Sequence, residues 1–343
     1  MRRVVPFTEF YRTAWSRFVG SSPNATVGHQ IGLKEAIERG LGDQPCYLLA
    51  LDNEKLTGVL PLFEKKTWWR STYLISSPWI DYGGICADDE ESEEMLLAEA
   101  SKIAREREAK FIEFRSISAH DLGLASRTDK VSFFLKLERD PEIVWRKFDS
   151  KLRNQIRKAH KNGVVTCTGG IELLPEFYKV FAWKMHDLGT PVWSVKLFES
   201  ILHFLPESSR IVLVKRGDQT LAGALLLSFK DTLYIPSASA YRFALQYCPY
   251  DALYWSVIKS GCENGYGHFD FGRSTWNCST FKYKKQWCPV PTQLNWQYYL
   301  NRATIVPMIS PSNHKYRFFV NAWRHLPLAV ANLLGPEVMS NFP

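Results

Sequence analysis

Residues His268 to Ser274 read HFDFGRS, and far upstream Glu113 to Ser116 read EFRS. Each closes a short apolar run with an acid, a Phe, an Arg and a Ser in the same order, Gly272 being the one insertion. Working outward from the second copy, Asp251 to Asn264 has helical spacing, while Arg210 to Lys215 and Thr220 to Phe229 read as strands about the turn residues Arg216 to Gln219. Ahead of the first copy, Lys110 to Phe114 reads as a buried strand and Glu90 to Glu108 as a helix. That helix puts Met95, Leu96, Ala100, Ile103 and Ala104 on one face, with acids early and bases late as the helix dipole prefers. Before it, Tyr47 to Leu51 and Leu56 to Glu64 form a hairpin through Asp52, Asn53 and Glu54. Leu56, Gly58, Leu60 and Leu62 then match Leu221, Gly223, Leu225 and Leu227, two apart as one face of a strand requires. Hairpin, helix and closing strand recur in one order, which predicts a duplicated, mixed α/β unit.

The chain of 343 residues, 45% of them hydrophobic, is long enough for two ordinary cores. Its 43 Lys and Arg against 35 Asp and Glu leave a net charge of +8, which favours phosphorylated or polyanionic partners, the plainer alternative being a basic surface that only confers solubility. Seven scattered cysteines with no CxxC pair suggest neither a disulfide framework nor a zinc site, and the eight histidines show no paired ligand spacing, so no metal is expected. GxSxG, GxxxxGK[ST] and GxGxxG are all missing, which argues against serine hydrolase, P-loop and dinucleotide readings. Arg2, Arg3, Glu9 and Arg12 interrupt the opening apolar residues, and no apolar run approaches the roughly 20 residues of a spanning helix. A cytoplasmic protein is the expectation.

By composition the chain divides into residues 1–140, a basic connector at 141–163, a second unit at 164–310 and a helical tail at 311–343. Pro141 to Asn162 reads as a helix in which Arg153 and Arg157, four apart, stack on one face and can grip a phosphate or remain a solvated surface. Asp270 at the end of its strand is a candidate base or amine-orienting group, with Arg273 and Ser274 as anion or carbonyl binders; a structural pairing of Asp270 with Arg273 is the plainer alternative. Phe281, Tyr283, Lys285 and Trp287 share one face if this stretch is a strand, with Lys282 and Lys284 opposite. Asp251 reads as the N-cap of its helix. In the tail, Phe318, Phe319, Trp323, Leu326, Val330 and Leu333 form an apolar side that packs on a domain or touches a membrane.

Lys151 to Gly163 (KLRNQIRKAHKNG) resembles the basic helix at the join of FemAB-family transferases, within the GNAT acyltransferase superfamily. NGYGHFDFGRS at Asn264 to Ser274, YKKQW at Tyr283 to Trp287 and Tyr82-Gly83-Gly84 resemble the exosortase-associated (PEP-CTERM) group of that family. Cys278 and Cys288 stand where its pattern has glycine. The resemblance implies two tandem GNAT-like domains and transfer of an acyl or aminoacyl group to an amine of a cell-envelope or exopolysaccharide precursor. It implies acyl-CoA or aminoacyl-tRNA as donor, and a sugar-phosphate or lipid-linked precursor as acceptor, at the inner face of the membrane. The residues it points to are Asp270 and Lys284 for catalysis, with Arg153, Arg157, Tyr82, Arg273, Ser274 and Trp287 for substrate. A non-catalytic basic adaptor on a membrane or nucleic acid is the rival from another class.

Overall fold

The computed structural model describes residues 1–117, 122–307 and 314–342, with side chains from 318 onward in the last stretch. Contacts divide the chain into two compact units, Met1–Lys130 with Gln293–Met308 and Ser340–Pro343, and Val131–Thr292 with Ile309–Met339. Both contain the hairpin, crossover helix and closing strand expected from the repeat. Among the described residues no helix is long and apolar enough to cross a membrane.

In the first unit the hairpin strands Leu48–Asp52 and Lys55–Leu60 pair antiparallel. Pro61 has no amide to donate, and there the chain leaves a four-stranded sheet and enters a six-stranded one as Leu62–Lys66. The strands Thr72–Ser76 and Phe111–Ser116 lie parallel, Leu74 opposite Ile112. The helix Glu90–Glu106 makes the crossover between them, capped by Asp89, whose carboxylate accepts the Ser92 amide at 2.8 Å. Its Leu96, Ala100 and Ala104 are fully buried against Leu48, Leu60, Leu74 and Phe114.

The second unit repeats the plan on an eight-stranded sheet. Ser209–Arg216, Gln219–Phe229 and Thr232–Ala240 form an antiparallel meander. The helix Pro249–Glu263 then crosses over to His268–Asp270, which runs parallel to the last meander strand. That parallel pairing covers Thr232–His268, Leu233–Phe269 and Tyr234–Asp270 and stops, while the longer strand continues to Ala240. The carboxyl ends of such parallel strands are the place where open α/β sheets commonly hold ligands.

Chain order and contact divide the molecule differently. Lys130–Lys136 pairs with His268–Asp270 in the second unit's sheet, and Asn295–Leu300 pairs with Phe111–Ser116 in the first unit's sheet. Each unit completes itself with a strand from beyond its own stretch, which no local periodicity signals. The boundary expected at 310/311 lies outside the described residues.

Three local expectations need correction. The connector is two helices, Pro141–Lys147 and Ser150–Lys161, because the Asp149 carboxylate caps a new start by accepting the Leu152 amide at 2.7 Å. Phe281 to Lys285 is helical, within Ser279–Lys285, so Phe281 and Lys284 are buried side by side and the strand alternation does not apply. In the tail, helices His314–His325 and Leu328–Met339 pack through Trp323 and Ala331, but Phe318 is 82% exposed and Leu333 76% exposed, so the expected apolar side is only partly covered.

Candidate active site

The HFDFGRS segment turns sharply where its strand ends. Gly272 sits at φ 72°, and a Cβ there would come within 2.7 Å of the Ile235 carbonyl, so only glycine fits. The turn is held from two sides. Asp270 is fully buried, and its carboxylate accepts the Ser132 hydroxyl at 2.6 Å and the Gly272 amide at 2.8 Å. Lys284 donates to the carbonyls of Gly272 at 2.8 Å and Arg273 at 2.9 Å. Helix Ser279–Lys285 delivers that ammonium group, starting where the Cys278 sulfur accepts the Phe281 amide at 3.4 Å. The turn carries Arg273 outward into solvent and Ser274 inward, where its hydroxyl is buried without a hydrogen-bond partner among the described residues.

Beneath the turn lies an aromatic floor. Trp287 is fully buried, with ring centroids of Phe148, Tyr254 and Phe271 at 5.3, 5.8 and 5.9 Å. It supports the turn from the core side and has no exposed surface for a substrate. Cys288 follows it at φ 54°, the left-handed conformation that explains why glycine would suit this position; Cys278, at φ −71°, has no such need.

The residue that the sequence undervalued is Asp251. The helix start lies at Pro249, with Cys248 in the cap position at φ 56°, so Asp251 belongs to the first turn instead of capping it. It is 8% exposed and accepts the Tyr283 hydroxyl at 3.1 Å. Burial raises its pKa from the usual 3.8 to about 6, against the smaller opposing pull of the Tyr283 hydroxyl and of its own amide. The phenols around it are pushed up as well: Tyr250 to about 12 by burial, Tyr283 by burial and by the Asp251 charge. Nothing in residue spacing brings Tyr283 to Asp251; the fold of the helix Ser279–Lys285 does.

The helix Ser150–Lys161 packs beside helix Pro249–Glu263, the Cys248 thiol donating to Gln155 Oε1 at 2.7 Å. Arg153 on it is half-buried, with its Nε buried and unpartnered among the described residues. Arg157 is exposed, donates to Asn154 Oδ1 at 3.2 Å and lies 5.4 Å over the Trp145 ring. The two arginines thus differ, one poised with an unspent donor and one already engaged. Tyr82 belongs to the first unit and is 3% exposed, in a turn where Gly28 approaches so closely that a Cβ would meet the Tyr82 carbonyl at 2.1 Å. The YGG stretch there is a packing element. A separate polar cleft of about 770 Å³ in the second unit, lined by Thr166, Arg210, Ser228, Ser260 and Tyr266, includes none of these residues.

Residues 146–285 match the Acetyltransferase (GNAT) domain model. Over most of its length the chain also superposes on FemX, at TM-score 0.69 and 15% identity, covering 88% of this chain and 98% of that one. The fold is that of a tandem GNAT protein. L-PGS from Bacillus licheniformis aligns at TM-score 0.57 and 14% identity over 85% of this chain and 93% of its own. A tandem GNAT protein from the clavulanic acid biosynthesis pathway aligns at TM-score 0.52 and 10% identity over 88% and 98%. At these identities the likeness is one of fold. No curated protein matches the sequence.

Proposed function

We propose that the second unit transfers an acyl group, in aminoacyl form, from an activated ester to an amine. The observation that carries this reading is Asp251, a buried carboxyl with a pKa of about 6 in the first turn of the crossover helix Pro249–Glu263, where it accepts the Tyr283 hydroxyl. An amine attacks only when unprotonated, and a carboxylate that titrates close to neutrality is matched to taking its proton. The amine nitrogen bonds to the ester carbonyl carbon, the bond to the donor oxygen breaks, and the proton passes through Asp251 to the leaving hydroxyl. Ser274, with its unspent hydroxyl, and Arg273 are the groups for the oxyanion. Asp270 and Lys284 act one step back, as positioning residues that hold the turn carrying them.

Aminoacyl-tRNA suits this site better than acyl-CoA. A pyrophosphate at a helix start needs free amides and no competing anion. Here the helix begins with Pro249, which has no amide, and the Asp251 carboxylate already takes its own amide. Arg153 is the residue for an acceptor phosphate, in keeping with a sugar-phosphate or lipid-linked envelope precursor at the cytoplasmic face and with the resemblance to the exosortase-associated FemAB group. Melting the protein against acyl-CoAs, aminoacyl-tRNAs and UDP- or lipid-linked sugars tests the assignment, since ligands of the folded state raise Tm. A rise with aminoacyl-tRNA, and one with a sugar phosphate that Arg153→Ala abolishes, are expected. A rise with acyl-CoA alone overturns the donor assignment, and a protein that melts identically with every compound points to the adaptor reading instead.

A further inference from the structure

The hairpin between strands Leu62–Lys66 and Thr72–Ser76 in the first unit carries Thr67-Trp68-Trp69-Arg70 at its tip. Turns of this kind ordinarily use Gly, Asn, Asp or Pro. Here the most projecting positions hold two tryptophans, 66% and 55% exposed, followed by Arg70 at φ 55°, a left-handed conformation that a non-glycine residue adopts only at a cost. The tip is nonetheless closed by hydrogen bonds. Arg70 N donates to Thr67 O at 2.9 Å, Thr67 N to Ser71 O at 3.0 Å, and Trp68 N to Asn341 Oδ1 at 2.7 Å. A hydrogen-bonded turn that departs from local preference and leaves its two largest side chains more than half exposed points to a constraint outside the chain.

The surrounding charge says what that is. Lys65 to Ser77 contains no acid. Lys66 and Arg70 are exposed at the tip, Arg107 and Lys110 flank it through Glu64 and the Thr72 carbonyl, and Glu64 itself is buried between Lys66 and Arg107. Indole rings favour the headgroup level of a bilayer, where the apolar ring is buried and the N–H stays wet, and lysines and arginines beside them favour anionic lipid. We infer that the Trp68–Trp69 hairpin is a membrane-docking tip that seats the first unit on an anionic phospholipid surface. This differs from the C-terminal helices as the point of contact, and it does not depend on the transfer chemistry, because docking is measured without donor or acceptor.

The test is co-sedimentation of the full chain with vesicles of phosphatidylcholine alone or with roughly 30% phosphatidylglycerol added. The intact protein is expected to partition onto the anionic vesicles, less so as salt rises, and Trp68→Ala/Trp69→Ala to reduce partitioning by about ten-fold or more. Both side chains are exposed, so the double variant folds, which its unchanged Tm and circular dichroism will show. Phe318→Ala, on the exposed side of helix His314–His325, is expected to bind as the intact protein does. Equal binding of the tryptophan variant, loss of binding in Phe318→Ala alone, or a change confined to self-association on gel filtration would each overturn the inference.

Discussion

Replacing Asp251 by Asn sets stability against activity in a pH-dependent way. In the folded chain the carboxyl titrates at about 6, in the unfolded chain at 3.8. Below pH 3.8 both states carry the proton. Between these values only the folded state does, so stability falls as pH rises, and above about 6 a constant deficit remains. At about 1.4 kcal/mol per pH unit, the interval from 3.8 to about 6 amounts to about 3 kcal/mol. Asn is nearly isosteric, accepts the Tyr283 hydroxyl through its carbonyl and never ionises. Asp251→Asn is therefore expected to be more stable than the parent at pH 7.5, by up to about 3 kcal/mol, with the advantage vanishing below pH 4. Its transfer rate falls by about two to four orders of magnitude, and the parent rate rises through pH 6 before levelling. Thermal melts of both proteins from pH 3.5 to 8 measure the first effect and single-turnover transfer the second. Parallel stability curves, or a parent more stable at neutral pH, would refute the argument that Asp251 is held charged against its environment.

Tyr283→Phe removes a hydrogen bond to the charged form of Asp251, so the inflection near pH 6 in the same melts should move upward. Lys284→Met strands two backbone carbonyls and loosens the Gly272 turn; urea unfolding should show a loss of about 2–4 kcal/mol, with transfer lowered through kcat more than KM. Gly272→Ala forces a Cβ against the Ile235 carbonyl at positive φ, and should lower stability by about 2 kcal/mol or more in that assay. Cys288→Gly and Arg70→Gly each relieve a left-handed conformation, and should raise stability by up to about 1 kcal/mol apiece.

Sequence alone determined the elements whose causes are local. The helix Glu90–Glu106, with its acids early and apolar stripe inside, the two hairpins, and the repeated acid-Phe-Arg-Ser ends all follow from period and turn chemistry, and the duplication follows from their order. Phe281 to Trp287 misled because in so short a stretch the alternate spacing of Phe281, Tyr283 and Lys285 and the helical spacing of Phe281 and Lys284 are both present, and the cap from Cys278 decided for the helix. The candidate site was half legible. Asp270, Arg273, Ser274 and Lys284 stood out, but their roles depend on Ser132, contributed by a strand that precedes the connector, and on the burial of Asp251 under Tyr283. Exchange of one strand between the sheets, and the proton affinity of a carboxyl moved out of water, depend on contacts between residues far apart in the chain. Only the tertiary structure could decide those, because desolvation and strand pairing belong to the packed molecule and leave no period in the sequence.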